Sequence, residues 1–140
     1  ACLAQLAHAP ARMSLCLGIA FTLVQAVLPT ERVTLAWEHS VEKIRWEEDY
    51  SVRAGRLELI EARVKGSGAG MEVPEGAVLR DGWWHYQPAQ RPEKVTLTRS
   101  SYVKDYELCW EGRCRTLTEI LGLLVREGET IELFACRTWG

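Results

Sequence analysis

The sequence predicts an all-β fold: a single-domain antiparallel β-sandwich or partly open barrel, with one short helix near the C-terminus and an apolar leader helix at the N-terminus. Three observations support this prediction. From residue 32 onward, apolar and polar side chains mostly alternate, which is the period of a strand. Glycine-containing turn pairs separate these runs at short intervals. The first 30 residues instead contain a nearly unbroken apolar run.

Length and composition indicate an ordinary globular domain. The chain has 140 residues, which allows one domain. Hydrophobic residues make up 47% and charged residues 26%, and this excludes a disordered or collagen-like chain. The 17 basic and 19 acidic residues give a net charge of -2. Because nucleic-acid binding needs a concentrated basic face, no nucleic-acid partner is expected.

Residues 1–28 are predicted to be a signal peptide or a membrane-anchor segment. Residues 13–28 are apolar, but the run is shorter than the ~20 residues that a membrane-spanning helix needs and resembles a secretory leader. Val24 and Ala26 are small enough for a signal peptidase, so the mature chain is predicted to begin near Val27. The alternative is a buried amphipathic core helix, which the lack of a polar face disfavours.

Residues 29–140 are predicted to form a single β-rich domain. Its predicted strands, in chain order, are residues 33–40, 46–53, 57–65, 83–87, 95–101, 106–110, 113–117 and 130–136. The pairs Ala54-Gly55, Asp81-Gly82 and Glu111-Gly112 predict tight turns. Residues 118–126 are the helical candidate, with Thr118 as N-cap.

Two cysteines are spaced for a disulfide within a hairpin. If the turn pair between them is a two-residue loop, Cys109 faces Cys114 in a non-hydrogen-bonded pair, with Cα atoms ~4.5 Å apart. Two free thiols in a reduced protein are the alternative. A zinc site is weaker still, because His39, His85 and Cys136 show no ligand spacing. Cys136 is left over and is predicted to be a buried thiol.

Three ionisable residues fall where the alternation calls for apolar side chains: His39, Glu48 and Arg99. If they meet, they form a polar pocket for a small anion or a proton-transfer pair. The alternative is a structural ion-pair network, or a strand end that reaches solvent. Ser40 adjoins His39 but points to the opposite face of a strand, which argues against nucleophilic catalysis. No catalytic residue is assigned.

The glycine-rich segment at residues 66–74 does not match a cofactor motif. Its spacing is wrong for a dinucleotide fingerprint, and no Lys-Ser or Lys-Thr closes it as in a phosphate loop. No cofactor is therefore predicted. Gly68 and Gly70 are read either as part of a flexible rim over the pocket or as a bulged connection.

Five sequence blocks occur in an order that resembles a known family. They are His-Ser-Val-Glu-Lys at 39–43, Trp-Glu-Glu-Asp at 46–49, Gly-Ser-Gly-Ala-Gly-Met-Glu at 66–72, Asp-Gly-Trp-Trp at 81–84 and Leu-Cys-Trp-Glu-Gly-Arg-Cys at 108–114. Together they resemble the small exported bacterial proteins called domain of unknown function 1850, over residues 33–136. The motif residues that carry over are His39, Ser40, Glu48, Gly68, Gly70, Cys109 and Cys114.

The resemblance implies a compartment and a partner rather than a reaction. The family has no established activity. Its members are often encoded beside the permease and solute receptor of TAXI-type tripartite ATP-independent periplasmic (TRAP) transporters. This implies a periplasmic, non-enzymatic accessory or binding module, which touches the membrane only through an uncleaved N-terminal segment. A site for a small anion or for acid/base chemistry at His39, Glu48 and Arg99 is the alternative, and a purely structural domain is a third hypothesis.

Overall fold

A computed structural model describes residues 12–19, 24–38, 43–66, 73–88, 93–99, 104–122 and 128–138, which form eleven strands and one helix. In chain order the elements are β1 (Arg12–Ile19), β2 (Val24–Leu28), β3 (Arg32–Glu38), β4 (Arg45–Arg53), β5 (Arg56–Lys65), β6 (Val78–Arg80), β7 (Trp83–Tyr86), β8 (Lys94–Thr98), β9 (Glu107–Trp110), β10 (Arg113–Thr116), α1 (Leu117–Leu121) and β11 (Thr130–Thr138).

The strands form two antiparallel sheets that share one core. The smaller sheet has the order β2-β1-β11-β8, and the larger has the order β10-β9-β3-β4-β5-β7-β6. The core draws buried side chains from both sheets: Leu15, Leu17, Leu97, Ile131 and Leu133 from the smaller, and Val33, Leu35, Tyr50, Leu57, Leu108 and Trp110 from the larger. The all-β prediction with one short helix near the C-terminus is confirmed.

The predicted tight turns are present. Glu111 and Gly112 have φ values of 51° and 75°, and positive φ at both central residues is the conformation of a type I′ hairpin turn. Asp81 and Gly82 have the same conformation and join β6 to β7. The strand β6 was not predicted, because three residues are too few to display an alternation.

The helix begins two residues earlier than predicted. The side chain of Thr116, not Thr118, caps α1 by accepting a hydrogen bond from the Glu119 backbone N–H. Thr118 instead donates its backbone N–H and its hydroxyl to Asp105 Oδ2, at 2.8 and 2.6 Å. The predicted helix extended to residue 126, and residues 123–127 lie outside the described part of the chain.

The structure does not show the N-terminal leader helix. Residues 12–19 and 24–28 are strands, and all of β1 pairs with β11. Four consecutive residues of β1, from Leu15 to Gly18, are buried. A strand buried on both faces has no polar alternation, so its sequence reads as a continuous apolar run, as a leader does. Cleavage after Ala26 stays a prediction, and it would remove all of β1.

The cysteines form two pairs at disulfide distance. Cys109 and Cys114 are cross-strand partners in the hairpin of β9 and β10, with Cα atoms 4.0 Å apart, as predicted. The prediction that Cys136 is a free buried thiol was wrong. Cys136 on β11 is bonded to Cys16 on β1, with Cα atoms 5.9 Å apart. These two residues are 120 positions apart in the sequence, so no local pattern connects them.

Candidate functional site

Glu48 is a carboxylate on the inner face of the larger sheet, the face that carries the core residues. Its cross-strand partners are Leu35 on β3 and Ala62 on β5, which are 2% and 1% exposed. Glu48 itself is partly exposed. Its Oε2 atom accepts a hydrogen bond from the hydroxyl of Tyr50 at 2.7 Å. Glu48 therefore lies among apolar neighbours, as its strand position predicts, but reaches the surface.

The negative charge of Glu48 helps to raise the pKa values of three tyrosines. Burial, and then the hydrogen bond to Glu48 and its negative charge, raise the pKa of Tyr50 far above its usual value. Burial, followed by the charge of Glu48, also raises the pKa values of Tyr86 on β7 and of Tyr106, which precedes β9. All three tyrosines therefore keep their protons to a higher pH than a tyrosine in an unfolded chain does.

A row of tryptophans crosses the same face beside Glu48. Trp37 pairs with Trp46, which pairs with Val64, which pairs with Trp84. The rings of Trp37 and Trp46 are 6.1 Å apart and nearly parallel, and Tyr106 lies 6.4 Å from Trp37. The Nε1 atoms of Trp46 and Trp84 are buried and have no hydrogen-bond acceptor among the described residues. All three tryptophans are partly exposed, so their row borders the surface.

We expect the free energy of unfolding to fall as the pH rises above about 10, the pKa of tyrosine in an unfolded chain. Tyr50 holds its proton more tightly in the folded state, so its contribution is complete below that pH and is lost at higher pH. Urea unfolding at a series of alkaline pH values measures this loss. Tyr50→Phe has no ionisable group at the position and should show a smaller decline. Titration of Tyr50 in the folded protein near pH 10 would contradict the expectation.

The other predicted site residues do not join Glu48 in the described structure. His39, Ser40, Gly68 and Gly70 lie outside the described residues. Arg99 follows β8 in the smaller sheet, where its backbone bonds to Glu129 and Gly128. Glu48 and Arg99, both described, make no hydrogen bond or ion pair with each other. The predicted anion pocket or proton-transfer pair stays a prediction, and the charge of Glu48 disfavours an anion.

The outer face of the larger sheet carries a charge network that the sequence reasoning missed. Arg63 on β5 donates to Glu47 at 2.8 Å and to Asp49 at 2.6 and 3.1 Å. Asp49 also accepts from Thr34 at 2.7 Å, and Glu47 accepts from Arg45 at 2.9 Å. The hydrogen bonds that Arg63 donates to Asp49 raise the pKa of Arg63; burial lowers it, and the hydrogen bond to Glu47 raises it further. The alternation places Glu47 and Asp49 on one face, but only the strand order supplies Arg63.

The network borders a cavity of about 480 Å³. Its wall includes Arg63 and Asp49 together with Arg32, Trp110 and the hairpin turn at Gly112. Because Arg63 and Asp49 already neutralise each other, this part of the wall offers little unpaired charge to a ligand.

A second charged group lies near the end of the same sheet. Nδ1 of His85 on β7 contacts Glu61 on β5, and Arg80 on β6 lies 3.6 Å from the same carboxylate oxygen. Glu61 is therefore shared by two basic side chains. Pairing of β5 with β7 creates this cluster, so the sequence alone did not indicate it.

One group of potential metal-ligating side chains occurs in the described part of the chain. Donor atoms of Glu107, Cys109 and Cys114 lie within 4.8 Å of one another. The two cysteines are bonded to each other, and metals bind thiolates, so this group does not constitute a metal site in the oxidised protein.

Of three comparisons with known proteins, one gives a match. The model of a family described as Domain of unknown function (DUF1850) matches residues 33–117. No curated protein and no solved structure matches the chain significantly. Within the described segments, no helix is long and apolar enough to cross a membrane.

Proposed function

This chain belongs to the DUF1850 family, and we propose that it is a non-enzymatic binding module of the periplasm that assists a TAXI-type TRAP transporter. The observation that carries the binding role is Glu48, a partly exposed carboxylate whose cross-strand partners Leu35 and Ala62 are buried and apolar. A charge beside buried apolar side chains is costly unless another group pairs with it, and this favours a ligand or partner at Glu48. The transporter association comes from the family resemblance.

The cysteine pairs support an oxidising compartment. All four cysteines of the described residues are paired, one pair within a hairpin and one across β1 and β11. Disulfides persist in the bacterial periplasm and are rare in the cytosol, where thiols are kept reduced. The pairing is therefore the arrangement expected of an exported protein.

Fractionation of cells that make the protein tests the compartment. We expect the chain in the osmotic-shock fluid or on the outer side of the inner membrane, with Cys109 linked to Cys114. Cys16 is expected to be linked to Cys136 where the native chain retains the residues before Val27. Peptide mass spectrometry without reductant detects both linkages, and it also identifies the first residue of the native chain. Recovery in the cytosol with alkylatable thiols would contradict the proposal.

Copurification tests the transporter association. The tagged protein, cross-linked in cells and purified from solubilised membranes, is expected to retain the receptor or permease of a TRAP transporter. An unrelated exported protein with the same tag is the control. If neither transporter subunit is enriched over that control, the association is wrong.

A further inference from the structure

We propose that Glu48 and the aromatic side chains beside it bind a small organic ammonium ion. This inference rests on the proposed binding role and names the class of ligand for the same site. Three features of the inner face support it: an unpaired negative charge, aromatic rings around it, and indole N–H groups that lack acceptors.

The first feature is the missing counter-ion of Glu48. Among the described residues its hydrogen-bond partner is the neutral hydroxyl of Tyr50, and no basic side chain pairs with it. The carboxylates of the outer face differ, because Glu47 and Asp49 are paired with Arg63, and Glu61 is paired with His85. A carboxylate among apolar neighbours is stabilised most by a cation that binds directly beside it, in the same poorly solvated environment.

The second feature is the aromatic surface around this charge. The ring of Trp37 lies 6.1 Å from that of Trp46 and 6.4 Å from that of Tyr106, and Tyr86 lies on the far side of Ala62. Aromatic faces attract cations, and quaternary ammonium groups are bound in cages of such rings. A metal ion would bind more weakly to this surface, since its hydration is costly to remove and phenol and indole rings offer no strong ligand atoms.

The small side chains of β5 separate two walls of this surface. Ala62 lies between Glu48 and Tyr86, and Val64 lies between Trp46 and Trp84. Adjacent strands are about 4.8 Å apart, so the backbones that carry the two walls are roughly 10 Å apart. Ala62 and Val64 are 1% and 0% exposed, so no open gap separates the two walls, and the ligand contacts the partly exposed Glu48 and rings from the surface.

The third feature indicates a hydrogen-bond acceptor on the ligand. The buried Nε1 atoms of Trp46 and Trp84 have no acceptor within the described segments. Buried donors are nearly always satisfied in folded proteins. An ammonium compound that also carries a hydroxyl or carboxylate oxygen would supply both the charge for Glu48 and an acceptor for an indole N–H.

Binding of choline to the folded, oxidised protein tests the inference, with tryptophan fluorescence as the readout. Its uncharged carbon isostere 3,3-dimethyl-1-butanol is the matched neutral probe. We expect choline to change the fluorescence saturably and the neutral isostere to bind at least roughly tenfold more weakly, because it lacks the charge. Equal binding of the two probes, or no saturable change with choline, would overturn the proposal.

Glu48→Gln keeps an acceptor for Tyr50 and removes the charge, so the variant should fold and lose choline affinity by roughly tenfold or more. Glu58→Gln makes the same change at a partly exposed carboxylate of β5 that pairs with Arg53, and should bind as the unaltered protein does. Unaltered affinity in Glu48→Gln would refute the assignment.

If choline fails to bind while transporter subunits still copurify, the ligand class is wrong and the proposed function stands. If choline binds but neither transporter subunit copurifies, only the transporter association is refuted.

Discussion

Deleting residues 1–26 is expected to unfold the domain. The deletion removes β1, a central strand of the smaller sheet that pairs along its whole length with β11. It removes Leu15 and Leu17, both 0% exposed, and truncating a buried leucine to alanine alone costs about 2–5 kcal/mol. A domain of this kind is stable by only about 5–15 kcal/mol, so the combined loss exceeds what it can tolerate. Circular dichroism and urea unfolding measure the effect.

The matched control is a chain that lacks residues 1–11 and keeps every described strand. Because it retains every described strand, we expect it to fold. The same experiment tests whether residues 1–26 are a cleaved signal peptide or part of the folded domain. A stably folded protein that begins at Val27 would show that β1 is dispensable and that the N-terminal segment is a leader. A native chain that retains Cys16 in a disulfide would show that β1 belongs to the mature domain.

Replacing Cys16 and Cys136 by serine is expected to lower the free energy of unfolding by about 5 kcal/mol. A disulfide restricts the unfolded chain, and the restriction grows with the length of the loop that it closes. This disulfide joins residues 120 positions apart, and therefore closes most of the chain into one loop. Urea or thermal unfolding without reductant, compared between the variant and the unaltered protein, measures the loss.

Cys109→Ser with Cys114→Ser provides the matched comparison. Its loop spans a sequence separation of only 5, so the same relation gives a loss of about 2 kcal/mol. We therefore expect the long-range disulfide to contribute more than twice as much stability as the hairpin disulfide. Equal losses would show that strain or residual structure in the unfolded chain, rather than loop length, determines both contributions.

Within the described residues, local patterns predicted most of the larger sheet. The alternation in β3, β4 and β5 places one face of each strand in the core, because side chains on a strand point to opposite faces in turn. The residues of the turn between β9 and β10 then determine how these two strands pair. The loop at Glu111 and Gly112 opposes Cys109 to Cys114, so this disulfide was predictable from a few adjacent residues.

The candidate site was only partly predictable. Strand alternation alone puts Trp46 and Glu48 on the same face of β4. Trp84 and Tyr86 join them because β7 pairs with β5, and Trp37 joins them because β3 pairs with β4. Which strands become neighbours depends on the packing of the whole sheet. The sequence therefore revealed an unusual charge but not the rings around it.

By itself, the sequence determined the β class, the hairpins and the faces of individual strands, since each depends on interactions between residues close in the chain. Only the tertiary structure showed that residues 12–19 and 24–28 form strands, and removal of this segment as a leader stays a prediction. An apolar run has the same composition in a leader and in a strand buried on both faces, so composition alone does not reveal the pairing of β1 with β11. The bond between Cys16 and Cys136 follows from that pairing, because it brings together two ends of the chain that no local interaction connects.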